Sequence, residues 1–182
     1  MRIIGGTFRG RKLFVPKGLA TRPATDRVRE SIFNLIRSRR SFDGATVLDL
    51  FAGTGSLGLE ALSRGASVAT FVETRRGVIR IARKNAVHLG VENRCSFYQH
   101  DAVRFARTSG TRRYDLVFAD PPYELEVLPD LPAMLVPLLN EGGLLLLEHD
   151  RRLKFDGAVG WIESRAYGRT IVSIFASNEA AP

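Results

Sequence analysis

Four residues two-thirds of the way along the chain, Asp120-Pro121-Pro122-Tyr123, combine the groups needed to hold a planar, amino-bearing base. The two prolines fix φ and remove two N–H donors, so the backbone is rigid and the Pro121 carbonyl can be aimed at a ligand. An ionised aspartate only accepts hydrogen bonds, so Asp120 supplies a second acceptor. Tyr123 brings a flat face for stacking. Two acceptors and one ring match an exocyclic amino group with its two N–H donors. The bland alternative is a stiff turn, with Asp120 capping and Tyr123 in the core. The preceding run, Tyr114–Ala119, reads as a buried strand that ends at the turn, and this favours the site.

A second set of residues suits a nucleoside cofactor. Asp49-Leu50-Phe51-Ala52-Gly53-Thr54-Gly55-Ser56-Leu57-Gly58 contains G-x-G-x-x-G at Gly53, Gly55 and Gly58, after one apolar run and before a helical pattern. Glycines there permit a tight turn and close approach of backbone to ligand. Glu73 follows Gly53 by 20 residues, the place of a ribose-binding carboxylate. The set on this reading is Asp49, Phe51, Ala52, Gly53, Thr54, Gly55, Glu73, Thr74, Asp101 and Ala102. A nicotinamide dinucleotide and S-adenosylmethionine both fit the glycine pattern. Asp49 separates them, because a carboxylate there would meet a cationic amino-acid group and would be a poor neighbour for a pyrophosphate. Asp101 reads equally as an acceptor for an adenine amino group or as a helix N-cap. No metal is expected, since the three histidines are scattered and Cys95 is alone.

The elements that must carry these residues alternate. From Ala45 onward short apolar runs (Val47–Leu50, Val68–Glu73, Cys95–Gln99, Tyr114–Ala119, Gly143–Glu148) are separated by helical patterns (Leu57–Ser63, Gly77–Leu89, Ala102–Ala106, Glu126–Leu139). That rhythm implies βαβ units and a mostly parallel sheet covered on both faces. Trp161–Ala166 and Thr170–Phe175, with Gly168 between them, read as an antiparallel C-terminal hairpin. The fold expected is therefore a doubly wound, mostly parallel seven-stranded α/β sheet. Ahead of it, Arg2–Ile4 and Arg11–Val15 read as a small β-hairpin, followed by a helix from Thr25 or Asp26 to the basic turn Arg37–Arg40. The expected division is 1–40 as a basic extension, 41–176 as the α/β domain and 177–182 as a tail.

Length and charge narrow the class. A chain of 182 residues with 45% hydrophobic and 25% charged residues can bury a core as one ordinary domain. Its longest aliphatic run, Leu144–Leu147, is far short of the roughly 20 apolar residues of a membrane span. No apolar stretch of signal-peptide length follows the basic start, and one cysteine cannot form an internal disulfide, so a cytoplasmic home is expected. The formal charge is +8, and residues 1–40 hold 11 of the 27 cations with only two acids. That segment is +9 and the remainder −1. Such a split is the footprint of a polyanion partner or, more blandly, a solvated face.

Asp49–Gly55 (DLFAGTG) and Asp120–Tyr123 (DPPY) resemble the cofactor and catalytic motifs of class I amino-methyltransferases. Arg2–Leu13 (RIIGGTFRGRKL) and Arg22–Glu30 (RPATDRVRE) are similar to the N-terminal motifs of bacterial small-subunit (16S) ribosomal RNA guanine-N2 methyltransferases. The resemblance implies a Rossmann-like sheet, S-adenosylmethionine as cofactor, and methylation of one guanine in an assembled or partly assembled small subunit. It implies Asp120, Pro121 and Tyr123 as catalytic residues and places Thr25 near the cofactor. Ala24 departs from the family, where many members carry Thr. Arg2, Arg9, Arg11, Lys12 and Arg22 are the expected phosphate contacts. The alternatives are a DNA or protein amino-methyltransferase with the same turn, a ribosome-assembly protein that binds RNA without catalysis, and an NAD-dependent oxidoreductase.

Overall fold

The computed structural model describes residues 1–16 and 26–177, apart from the side chain of Arg27. Thr25, Arg22 and residues 178–182 of the expected tail lie outside the described residues. The core is a seven-stranded sheet in the order β3-β2-β1-β4-β5-β7-β6, built from β1 (Thr46–Leu50), β2 (Val68–Val72), β3 (Cys95–Tyr98), β4 (Tyr114–Ala119), β5 (Leu139–His149), β6 (Trp161–Tyr167) and β7 (Thr170–Ala176). The first five strands pair in parallel and β7 runs antiparallel to β5 and β6, as the expected fold requires. Side chains alternate across the strands. Val47, Leu116, Phe118, Leu144 and Leu146 face one core, with α1 (Asp26–Arg37), α2 (Ser56–Ser63) and α3 (Arg76–Leu89). Leu48, Leu50, Val117, Leu145 and Leu147 face the other, with α4 (Ala102–Thr108) and α5 (Leu131–Leu135).

The chain winds outward in opposite directions from β1 and β4, so the gap between these neighbours is the topological switch point where such sheets bind ligands. The register pairs Leu50 with Ala119 on one side and with Val72 on the other. The glycine loop, the Glu73 segment and the proline turn therefore leave the sheet side by side.

Two expected elements differ. The helix expected over Glu126–Leu139 is three short pieces, tight turns at Leu128–Asp130 and Val136–Leu138 flanking the five-residue α5. Pro129, Pro132 and Pro137 each lack the N–H that a longer helix would need. The N-terminal hairpin pairs through a single antiparallel bridge, Arg2 with Lys12, and forms no extended strands. The N–H groups of Ile4 and Gly5 turn away from the partner segment to the Glu60 carboxylate on α2, at 2.7 and 2.8 Å. Glu60 is fully buried and also accepts from Arg64 Nε at 2.8 Å. Gly6 (φ +75) lies so close to α2 that a Cβ would sit 1.9 Å from the Ser63 carbonyl oxygen. Further on, Phe14 exchanges two hydrogen bonds with the buried Asn85 side chain of α3, which also donates to the Thr54 carbonyl at 3.0 Å. The basic arm is thus clamped to the helices flanking the glycine loop.

The charge of residues 1–40 is partly consumed inside the molecule. Arg29 is buried against Asp26, Arg39 pairs with Glu163, and Arg40 pairs with Asp115 at 3.1 Å. The last two tie the end of α1 to the sheet.

Candidate active site

A cavity of about 630 Å3 opens at the carboxyl ends of the central strands. Its walls come from the glycine loop (Phe51–Thr54), from Glu73–Arg75 after β2, from Ala102, from Asp120–Glu124 after β4, and from Glu148 on β5. α1 adds Arg29 and Ile32, and the arm adds Met1.

The loop is shaped by its glycines. Gly53 and Gly55 have φ of +54° and +78°, and Phe51, at φ 57°, is the only non-glycine residue with positive φ among the described residues. Left-handed backbone at a bulky residue is strained and tends to persist where a site requires it. A Cβ on Gly53 would meet nothing nearer than the Phe51 carbonyl at 3.9 Å, so the loop offers bare backbone to the cavity. Gly58 answers a packing need. A Cβ there would lie 2.5 Å from the Phe71 ring and 3.2 Å from Asp49 Oδ2.

Asp49 is only 2% exposed, and its Oδ2 accepts the Gly58 N–H at 2.9 Å. Burial drives its carboxyl up to about 8; the Gly58 N–H opposes this, while the Asp120 and Glu73 carboxylates add to it. A cation arriving in the cavity would reverse that shift. Glu73 behaves oppositely. Burial raises it, but the Arg75 side chain and the Arg75 and Gly53 N–H groups bring it below the usual carboxylate value. Its Oε1 takes Arg75 N and Nε at 2.9 and 3.0 Å, Thr74 Oγ1 lies 3.3 Å away, and Oε2 takes Gly53 N at 3.1 Å. The Arg75 side chain is 56% exposed, so its ion pair with Glu73 is open to solvent.

Asp101, left open between two roles, is the N-cap of α4. It accepts Arg104 N at 2.8 Å and does not line the cavity, whereas Ala102 does. The physical reason is that Asp101 directly precedes α4, whose orphan N–H groups capture the nearest carboxylate.

Asp120, Pro121 and Tyr123 border the same cavity as the glycine loop. The Tyr123 hydroxyl lies 3.1 Å from Thr170 Oγ1 and 3.4 Å from Glu148 Oε1. Burial, with Glu148 and Asp120 close by, raises its pKa, so the hydroxyl stays protonated. The tyrosine is therefore braced from β5 and β7. Sequence reasoning missed that brace. The signal available was Glu148 at the carboxyl end of the fifth apolar run. It also missed Arg75, two residues beyond Glu73, and the Met1, Arg29 and Ile32 wall, for which no sequence signal exists.

Of the expected phosphate contacts, Arg9 and Lys12 are exposed, Arg2 pairs with Asp26 at 2.8 Å, and Arg11 donates to the His88 carbonyl. Bare glycine backbone, a buried carboxyl suited to a cation and an acceptor-rich strand end together fit a nucleoside bearing a charged amino-acid tail.

Comparison with known proteins agrees with this geometry. Residues 1–176 match the family model described as Conserved hypothetical protein 95. YlbH of Bacillus subtilis (strain 168), named as a candidate rRNA methyltransferase, is 38% identical, with 96% of this chain and 98% of YlbH covered. Ribosomal RNA small subunit methyltransferase D of Escherichia coli (strain K12) is 42% identical over 145 residues, covering 80% of this chain and 69% of the relative. The solved structure of yhhF, a candidate methyltransferase from Escherichia coli, superposes with a TM-score of 0.83 at 34% identity, covering 96% of each chain. By sequence and by fold, the chain belongs to the Conserved hypothetical protein 95 family, among the small-subunit ribosomal RNA methyltransferases.

Proposed function

We propose that the protein methylates the exocyclic N2 amino group of one guanine in small-subunit ribosomal RNA, within an assembled or partly assembled subunit. The family supports ribosomal RNA methylation with S-adenosylmethionine as cofactor. The observation that carries the finer reading is the Asp120–Tyr123 turn, which lines one cavity together with the glycine loop.

In this reading Asp49 receives the cationic amino group of the cofactor, Glu73 accepts from its ribose hydroxyls, and the backbone of Phe51–Thr54, turned by Gly55, borders it with Thr74 and Ala102. Thr25, outside the described residues, belongs to the set by family resemblance. When bound, S-adenosylmethionine supplies an electrophilic methyl group. The chain's own task is to present the nucleophile. The guanine amino nitrogen is a poor one, because its lone pair is delocalised into the ring. Hydrogen bonds from its N–H groups to the Asp120 carboxylate and the Pro121 carbonyl favour a pyramidal nitrogen with its lone pair directed out of the ring plane. Positioning and fixed electrostatics of this kind carry large rate effects without a strong base, and the Asp120 carboxylate takes the proton that the nitrogen sheds as it gains the methyl group. Tyr123, held by Thr170 and Glu148, stacks on the base once it is swung out of its RNA context. The extension 1–40 is the RNA-contacting unit on the methyltransferase domain 41–176. Arg2, Arg9, Arg11, Lys12 and Arg22 contact phosphates, which position the substrate without reading its sequence.

The test is to digest small-subunit RNA from a strain lacking the gene, with and without the gene restored, and quantify N2-methylguanosine by mass spectrometry. Loss and return of one such nucleoside is the expected result. An unchanged N2-methylguanosine content, or a change in another methylated nucleoside, would refute the assignment.

A further inference from the structure

The net charge of −1 over residues 41–182 hides a second basic concentration. Residues 75–94 hold six cations and one acid. Most lie on α3, which contains no acidic residue. Arg76, Arg80 and Lys84 follow one another at i, i+4 and i+8, with Arg83 beside them. Arg76, Arg80 and Lys84 are exposed. Such spacing aligns side chains along one face, in steps of about 6 Å.

The arrangement works against the helix itself. Like charges four residues apart repel. Cations at a helix N-terminus oppose the macrodipole, and α3 begins with Arg75 as its cap and Arg76 as its first residue. Arg76 and Arg80 have no ion-pair partner among the described residues. Arg83 reaches Glu92 only at 3.5 Å, and Lys84 sits 4.1 Å over the Phe14 ring. Arg76 and Arg80 thus break local rules without an ion pair to offset the repulsion, and such violations mark functional surfaces.

The face is also placed to serve the site. At one end Arg75 lines the cavity. At the other, Arg11 of the arm donates to the His88 carbonyl, and Phe14 packs edge-on against His88 with ring centroids 5.3 Å apart. Apolar Val78, Ile79, Ala82, Ala86 and Leu89 are buried and Val87, at 55%, is the one large apolar residue that α3 exposes, so the cationic face carries no apolar stripe for insertion into lipid.

We propose that Arg76, Arg80 and Lys84 form a second phosphate-binding surface for ribosomal RNA, continuous with the basic arm and leading to the cavity mouth. It rests on the reading of the chain as an RNA methyltransferase. RNA so bound runs along α3 between the arm and the reactive base, which fixes the direction from which the base approaches.

The test uses full-length protein and an in vitro transcribed small-subunit ribosomal RNA, with the dissociation constant measured across a salt series. Arg76→Gln, Arg80→Gln and Lys84→Gln together should lower the slope of log affinity against log salt by about 2–3, at roughly 0.7–0.9 for each phosphate no longer neutralised. The charge-keeping variant with Arg76→Lys and Arg80→Lys should keep the wild-type slope. The melting temperature of the triple variant should not fall, and its affinity for S-adenosylhomocysteine should hold. An unchanged slope in the triple variant overturns the proposal, and so does a reduced slope accompanied by weakened S-adenosylhomocysteine binding, which would place the effect in the cavity. If neither wild type nor arm variants show salt-dependent RNA binding, it is the reading of the enzyme's substrate that fails.

Discussion

Asp49→Asn, followed across pH, tests the reading of the cofactor end of the cavity most directly. The wild-type carboxyl, pushed up to about 8 by burial, is mainly protonated at neutral pH. If it must ionise to receive the ligand's ammonium group, the competent fraction is about 1% at pH 6 and about 50% at pH 8, by the linkage between ionisation and binding. Affinity for S-adenosylhomocysteine, measured by isothermal titration, should therefore rise about 50-fold over that interval, an order-of-magnitude figure from the same linkage. The asparagine keeps the Gly58 N–H acceptor but cannot ionise. Its affinity should be flat in pH and weaker than wild type at pH 8. The unliganded protein offers a matching check on sign. A carboxyl whose folded pKa is raised binds more protons folded than unfolded, so it makes stability fall as pH rises from about 4 towards 8. Asp49→Asn should remove that decline. Burial lowers the pKa of His149, which acts in the opposite sense below its ordinary value of 6.5, but it is common to both proteins and cancels in the comparison. Equal pH slopes of ligand affinity in the two proteins would refute the ammonium contact.

Three further perturbations separate binding, chemistry and RNA affinity. Glu73→Ala should weaken S-adenosylhomocysteine binding by about 10- to 100-fold, the range for hydrogen bonds to a charged group; unchanged affinity in a titration would remove it from the site. Asp120→Ala should leave cofactor affinity nearly intact while single-turnover methyl transfer falls by orders of magnitude, and a wild-type transfer rate would end its catalytic assignment. Changing Arg9, Arg11 and Lys12 together to Ala should flatten the salt slope of RNA binding by about 2–3 if all three touch phosphates, with cofactor affinity preserved; equal slopes would leave the arm a solubilising face.

Much of the fold is local in origin and was legible in the residues. Buried strands such as Tyr114–Ala119 read as continuous apolar runs because both faces of the sheet are covered. The α3 pattern ends at Gly90, whose left-handed φ of 77° a helix C-terminus readily uses. The glycine loop and the Asp-Pro-Pro-Tyr turn were likewise visible, since each is a contiguous stretch whose residue types restrict its backbone. The N-terminal ladder and the helix after the turn differ from expectation for opposite reasons. Glu60, more than 50 residues away, draws off the N–H groups of Ile4 and Gly5, while the helix after the turn is broken by three prolines within its own sequence.

What no single segment contains is the juxtaposition. The register of Leu50 with Ala119 brings two motifs about 70 residues apart to one cavity, and only sheet pairing can set it. Arg75 on Glu73 is local, but Thr170 on Tyr123, and Met1, Arg29 and Ile32 in the cavity wall, follow from packing between distant elements. Charge divides the same way. The sum over residues 1–40 is a property of the chain, but folding buries Arg29, pairs Arg39 and Arg40, and lays the exposed cations of α3 beside the arm. Electrostatic fields add in space, so the basic surface belongs to the tertiary structure even though every charge in it was already written in the sequence.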